Sequence, residues 1–340
     1  MTFAANFHFG IDLDHHSHDL LRHDGKTNGL LQRLDEGFDL ITLEDGFALS
    51  AGDGLDAILF ANWLGARTSH AGIVAGAPIN FLEPFHVSTA IATLDYVTDG
   101  RAGLLVQPLE GNRAVAARRA TGELNGYPEN NNSALELDFD EAIDVIRQLW
   151  DSWDDDAIIR DPESQRFIDG TKLRYVDFRG ANFNVLGPSI TPRPPQGQPV
   201  IAAIVGPGDS ILPTSAVDLA FLRASESELL SLVRGLKSRH PELRLFADIG
   251  IGADEPEKDT IPQWKSDVET TISQARALAA AGLDGIRFLP RQPERDLALL
   301  ADHILPALRD AGLAQPGHGS TLRDRLSLPA AVNRYAVAAA

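Results

Sequence analysis

The run Asp12–Asp19 reads DLDHHSHD, three histidines and three aspartates in eight residues. Side chains of these types hold protons, metal ions or polar substrates. His16-Ser17-His18 has the spacing of a metal-binding pair, yet two imidazoles fall short of the three or four protein ligands a zinc site needs. No histidine lies in the apolar runs at 199–205, 216–222 or 243–251, and His240 stands before Pro241 in a turn. The segment therefore reads as an exposed polar loop without a metal, in which His16 and His18 are candidate contacts to a substrate. A second acidic pair, Glu44-Asp45, closes the apolar run FDLITL. An aspartate just past a strand serves either a site or the N-terminus of a following helix. Gly250-x-Gly252 is too short to be a nucleotide motif. Without cysteine there is no thiol nucleophile, and no Ser-His-Asp set stands out.

The elements that must carry these groups follow from periodicity. In Glu83–Gly103, Pro84 suits the first helical position. Phe85, Ala90, Ile91, Leu94 and Val97 recur at helical spacing, and Asp99-Gly100 tolerates the positive φ that ends a helix. Arg101 then leads into the strand Ala102–Gln107. Strands are also expected at Phe7–Leu13, Phe38–Leu43, Ala71–Ile79, Pro199–Val205, Ala216–Leu222, Leu243–Ile251 and Asp284–Leu289. Helices are expected at Leu30–Glu36, Leu55–Leu64, Arg113–Thr121 and after the seventh strand through Ala281. Two more carry Phe139, Ala142, Ile143, Ile146, Leu149, Trp150 and Trp153, and Leu297, Leu300, Ile304 and Leu308. The two tryptophans read as packing. Roughly ten residues separate the fifth and sixth strands, barely a parallel crossover, so the helix there must be stunted. Eight strands alternating with helices predict an α/β fold, a single (β/α)8 TIM barrel over 1–340. An insertion after the fourth strand (123–198) holds a hairpin of Leu173–Phe178 with Asn182–Leu186. The tail, 312–340, is expected to wrap the exterior. A site then belongs at the C-terminal strand ends: Asp12–His18, Glu44-Asp45, Ile79–Phe81, Gln107, Val205–Ser210, Ile251-Gly252 and Pro290-Arg291.

A net charge of −18 argues against nucleic acid or anionic membrane as partners, because both demand a basic surface. The N-terminus lacks a basic, apolar leader pattern, and no apolar run reaches the roughly 18 residues of a membrane span. Together with the missing cysteines these features predict a soluble cytoplasmic protein.

EPFHVSTAIATLDYVTDGRAG, FDLITLEDGF, the block Leu149–Val200, GLDGIRFLP and TLRDRL…NRYA together resemble the luciferase-like flavin-dependent monooxygenases. The branch with nitrilotriacetate and dibenzothiophene-sulfone monooxygenases is the nearest. The resemblance implies a flavin-dependent oxidoreductase that oxygenates a small organic substrate, with reduced flavin (FMN) supplied by a separate reductase. It also implies a homodimer through early barrel helices, for which Leu55–Leu64 is unusually apolar. Asp45 matches an acidic position near the active-site floor, and Glu44 reads as an interior carboxylate. Departures occur at three strand tips. Pro78-Ile79-Asn80-Phe81 replaces hydroxyls, and Leu104-Leu105 replaces an aromatic-amide pair, leaving Gln107. Val205-Gly206-Pro207-Gly208-Asp209-Ser210 replaces Gly-Ser-Ser at the flavin phosphate. Pro207 removes a donor and Asp209 repels, so FMN is expected to be weakly held by Asp45, Asn80, Gln107, Val205, Gly206, Gly208 and Ser210. Losing two charge-assisted bonds costs about 3–6 kcal/mol, roughly 10²–10⁴ in affinity. A deazaflavin, a non-catalytic barrel and a metal-dependent amidohydrolase, whose HxH resembles His16-Ser17-His18, are the alternatives.

Overall fold

The computed structural model describes residues 7–13, 27–46, 54–80, 82–108, 132–208, 217–251, 261–264, 267–313 and 319–336. Eight strands run parallel: β1 (His8–Asp12), β2 (Leu40–Leu43), β3 (Gly72–Ala77), β4 (Ala102–Val106), β5 (Val200–Val205), β6 (Leu219–Leu222), β7 (Arg244–Ile251) and β8 (Gly285–Pro290). They pair in the order β6-β5-β4-β3-β2-β1-β8-β7, and β7 pairs back onto β6 with Leu219 opposite Arg244. The sheet is thus a closed TIM barrel without an open edge. Runs such as GIVAGA and VIAAIV are buried on both faces, as a barrel strand between lumen and helices must be.

The outer helices are α1 (Thr27–Gly37), α2 (Ala57–Gly65), α3 (Pro84–Val97), α4 (Asn132–Trp150), α5 (Glu226–Arg239), α6 (Val268–Ala280), α7 (Pro293–Leu299) and α8 (Leu305–Asp310). Pro84 opens α3, and Asp99 (φ 52°) and Gly100 (φ 83°) end it, as expected. Its buried stripe differs from the expected one. Val87, Ser88, Ile91, Ala92, Leu94 and Asp95 face inward and Val97 is exposed. The polar members are satisfied locally: Ser88 donates to Phe85, and Asp95 accepts from Ala102 and from both nitrogens of Gln196. His86 is exposed, as expected.

α4 buries Phe139, Ala142, Ile143, Ile146, Leu149 and Trp150. Trp153 lies beyond its end, bridged to Leu173, and its indole donates to the Ser189 carbonyl. Because Leu173 is paired there, the expected long hairpin shrinks to Phe178–Arg179 with Asn184–Val185. A second hairpin, Ile158–Asp161 with Arg166–Ile168, was not expected. The expected helix at 113–121 and the crossover at 209–216 lie outside the described residues.

The described tail first caps the barrel and then runs outside along α4, where Asn333 donates to the Asp151 and Trp153 carbonyls and Arg334 pairs with Asp144. α9 (Leu322–Arg325) caps the N-terminal mouth, where Leu322, Leu326 and Leu328 join Leu40, Val74, Leu105, Val200, Leu219 and Phe246. Arg323 bonds the Gln198 carbonyl and Asp218 at the base of β5 and β6. Gly72 is required here, since a Cβ would lie 2.5 Å from Leu322 Cδ1. Among the described residues, no helix is long and apolar enough to cross a membrane.

Candidate active site

Alternation along a barrel strand sends every second side chain into the lumen. Leu40, Thr42 and Glu44 therefore share a face, as do Leu219, Phe221 and Arg223, and Phe246 and Asp248. Above the apolar plug these positions turn ionic. Arg287, fully buried on β8, makes a bidentate pair with Asp248 on β7 at 2.7 and 2.6 Å. Its remaining nitrogen reaches Thr42 at 3.2 Å and Asp12 at 3.4 Å. The guanidinium lies over the Phe221 ring, 4.1 Å from the centroid. Nearer the mouth, Arg223 joins Asp248 (3.0 Å) to Glu44 (2.6 Å). Only a lumen brings β1, β2, β6, β7 and β8 to one cluster.

Three carboxylates here face two guanidiniums, so one carboxylate lacks a full counter-charge. Burial, reinforced by Glu44, pushes Asp12 up to about 7 against the pull of Arg287, Thr42 and Arg223. Burial also opposes ionisation of Glu44, but Arg223 and Arg287 outweigh it and hold Glu44 below the usual range. Asp248 is held low in the same way by Arg287 and Arg223. Of the three, Asp12 is therefore the carboxyl that takes up a proton most readily, and its Oδ1 accepts from the Thr42 hydroxyl.

Asp45 and Gln107, both singled out from sequence, meet at the mouth. The Asp45 carboxylate accepts from Gly46 (2.6 Å) and from Ala57 (2.8 Å), the first residue of α2, so it caps that helix. Its own N–H donates to Gln107 Oε1 at 2.8 Å. Gly76 makes this possible: a Cβ there would sit 2.3 Å from that oxygen and 2.7 Å from the Leu43 carbonyl. Gln107 is buried, and its Nε2 has no partner among the described residues. Nη1 of Arg223, a side chain 35% exposed toward the mouth, is likewise left over. Asn80, the other expected ring contact, is engaged elsewhere: its amide donates to Leu135 and Asp138 of α4. Val205 accepts from the Arg223 N–H, and Gly206-Pro207-Gly208 continues as a turn with Gly208 at φ 82° and clear space around it. Ser210, Asp209, His16 and His18 lie outside the described residues.

A model for the luciferase-like monooxygenase family matches residues 32–230. The chain belongs to that family. It is 28% identical over 317 residues to the dibenzothiophene-sulfone monooxygenase of Rhodococcus erythropolis, covering 85% of this chain and 66% of that protein. It is 24% identical to the dimethyl-sulfide monooxygenase of Hyphomicrobium sulfonivorans, covering 77% of this chain and 55% of that one. The chain thus spans less than two thirds of the length of either relative. The crystal structure of the long-chain alkane monooxygenase LadA superposes with a TM-score of 0.82 at 18% identity, covering 95% of this chain and 96% of that one. Membership of the family sets aside the amidohydrolase reading of His16 and His18. Among the described residues no three His, Cys, Asp or Glu side chains gather to hold a metal. Asp12 fell in a strand end already singled out, but its lumen partners Asp248, Arg223 and Arg287 were missed. Their signal was present: a charged residue at an inward position of an otherwise apolar strand, as in GIRFLP and ADIGI.

Proposed function

We propose that the protein is a flavin-dependent monooxygenase that oxidises a small organic substrate at the C-terminal mouth of the barrel, with reduced FMN delivered by a separate reductase. The observation that carries this reading is the family match over a chain whose mouth keeps unspent donors. Gln107 Nε2 and Arg223 Nη1 suit the acceptor edge of a flavin ring, and the exposed Gly206–Gly208 turn suits its phosphate. When bound, reduced flavin supplies the electrons and the activation of oxygen. The chain orients the ring through Gln107, itself fixed by Asp45, and fixes Arg223 between Glu44 and Asp248. Asp12 holds a proton beneath them near neutrality.

With NADH, a flavin reductase and FMN, oxygenated product is expected from small sulfides or sulfones, and none without the reductase. Oxidised FMN is expected to bind weakly and to be lost in purification, because Pro207 lacks an N–H. Pro207→Ser with Asp209→Ser should tighten it at least tenfold, one charge-assisted bond's worth. A fluorescence-quenching titration in which the unaltered protein binds tightly and the variant gains nothing would place the phosphate elsewhere. Tight binding of a deazaflavin but not FMN would replace the cofactor.

The proposed assembly is a homodimer. Leu55 just before α2, Leu59 within it, and Tyr96 and Val97 of α3 are exposed, so the described residues, the tail included, leave them uncovered. Light scattering should return twice the 36.7 kDa chain mass, and Leu59→Glu should halve it. A monomeric parent protein at micromolar concentration defeats this assignment.

A further inference from the structure

On the N-terminal side of the barrel, opposite the candidate active site, a cleft of about 290 Å³ runs between the end of α1 and the tail. Arg101, Arg309 and Arg325 line it together with Asp35, Asp39 and Ser320. Among the described residues, none of the three guanidiniums has a carboxylate at ion-pair distance. Arg101 donates to the carbonyls of Gly65, Thr68, Ala71 and Thr98 and to the Thr68 hydroxyl, all neutral acceptors. Arg309 donates to the carbonyls of Glu36 and Gly37. Arg325 makes one bond, to the His70 carbonyl, and its buried Nε makes none. Only 8% of Arg325 is exposed: its Nε is buried without a partner, and Nη2, unbonded to any described residue, opens on the cleft.

The carboxylates on the cleft wall do not meet this need. Asp35 is committed to the N–H groups of Ser69, His70 and Ala71, and Asp39 to that of Phe9. Backbone donors already compensate both, which reduces their repulsion of an incoming anion. Burial, reinforced by Arg101 and only partly offset by Asp39 and Asp35, holds Arg325 below the usual guanidinium range. A fork of donors around an uncompensated charge is what a planar or tetrahedral oxyanion satisfies in bidentate fashion.

We propose that this cleft is a binding site for a small oxyanion, a phosphate or carboxylate group, held by Arg325 at its floor and Arg309 at its rim. It is separate from the flavin phosphate position at β5, on the opposite face of the barrel.

The test is thermal unfolding in inorganic phosphate, sulfate or acetate against chloride at constant ionic strength. At ten times the dissociation constant, an oxyanion should raise Tm by about 2 °C for a chain of this length. Arg325→Gln should abolish the shift and Arg309→Gln should weaken binding at least fivefold. In chloride alone, Arg325→Gln should unfold at or above the parent Tm, since it removes a buried charge that lacks a counter-charge. A residue with a purely structural role would lower Tm instead. FMN in place of phosphate should give a shift that Arg325→Gln leaves intact. The proposal is overturned if Tm follows ionic strength alone, if the phosphate shift survives in Arg325→Gln, or if that variant is destabilised in chloride.

Discussion

Arg287→Met is expected to lower stability by about 3–5 kcal/mol at pH 8, the cost of leaving buried carboxylates unpaired. The side chain is fully buried and bonds Asp248 twice, so its loss leaves three lumen carboxylates against Arg223 alone. In the parent protein burial raises Asp248, but Arg287 and Arg223 outweigh it and the net shift is downward. That contribution is stabilising above the unfolded carboxylate pKa. Without Arg287, Arg223 alone opposes burial, and the Asp248 pKa is expected to rise. The variant's penalty should therefore be small near pH 4 and grow as pH rises through the new, raised value. Arg287→Met with Asp248→Leu should recover most of the loss, because an apolar pair of similar volume replaces a buried ion pair at little cost. Denaturant unfolding at pH 5 and 8 reads both effects. Equal destabilisation at the two values would show that packing against Phe221, and not charge, is what Arg287 provides.

The barrel was legible because its signals are local. The expected runs ending at Leu13, Leu43, Ile79, Gln107, Val205, Leu222, Ile251 and Leu289 each match an observed strand to within a few residues. α5 went unread although Ser225 and Glu228 form a capping box, because its buried Leu229, Val233 and Leu236 are blurred by Leu230, which is exposed, and Leu232, which is half-buried. The tail's position was illegible for a different reason. Leu322 looks like any helix-face leucine, and only the missing Cβ at Gly72 and the bare ends of the strands make it a plug. The site divides similarly. Asp45 and Gln107 were visible as polar residues at strand ends, but their contact depends on Gly76, which a sequence does not mark as a hinge of geometry. Asn80 was visible and is engaged by α4, a long-range packing outcome. The lumen network joins residues up to 275 positions apart, Asp12 and Arg287. Period-two alternation gives each side chain its face, but which charges meet across the lumen follows only from barrel closure.

Asp12→Asn is expected to stabilise the protein at pH 8 and to leave it nearly unchanged at pH 4. Asp12 is buried, faces Glu44, and is raised from 3.8 to about 7 despite Arg287, Thr42 and Arg223. A carboxyl raised in the folded state contributes stability fully below its unfolded pKa, and that contribution is lost as pH rises through the folded value. The parent should thus lose stability progressively between about pH 4 and pH 7. The displacement from 3.8 to about 7 corresponds to about 4 kcal/mol as an upper bound. Asparagine carries no charge at any pH and can still bond Thr42, so it reproduces the protonated carboxyl and removes that slope. Glu44, held low by the two guanidiniums, keeps its charge across the same window. The variant's advantage should therefore grow from about pH 4 and level off above about pH 7. If Asp12 also gives or takes a proton during turnover, the same substitution flattens the acid-to-neutral limb of the kcat profile while KM for the substrate holds. Unfolding curves with parallel pH dependence in parent and variant would mean that Asp12 is ionised throughout, and that the spare proton of the lumen belongs to another group.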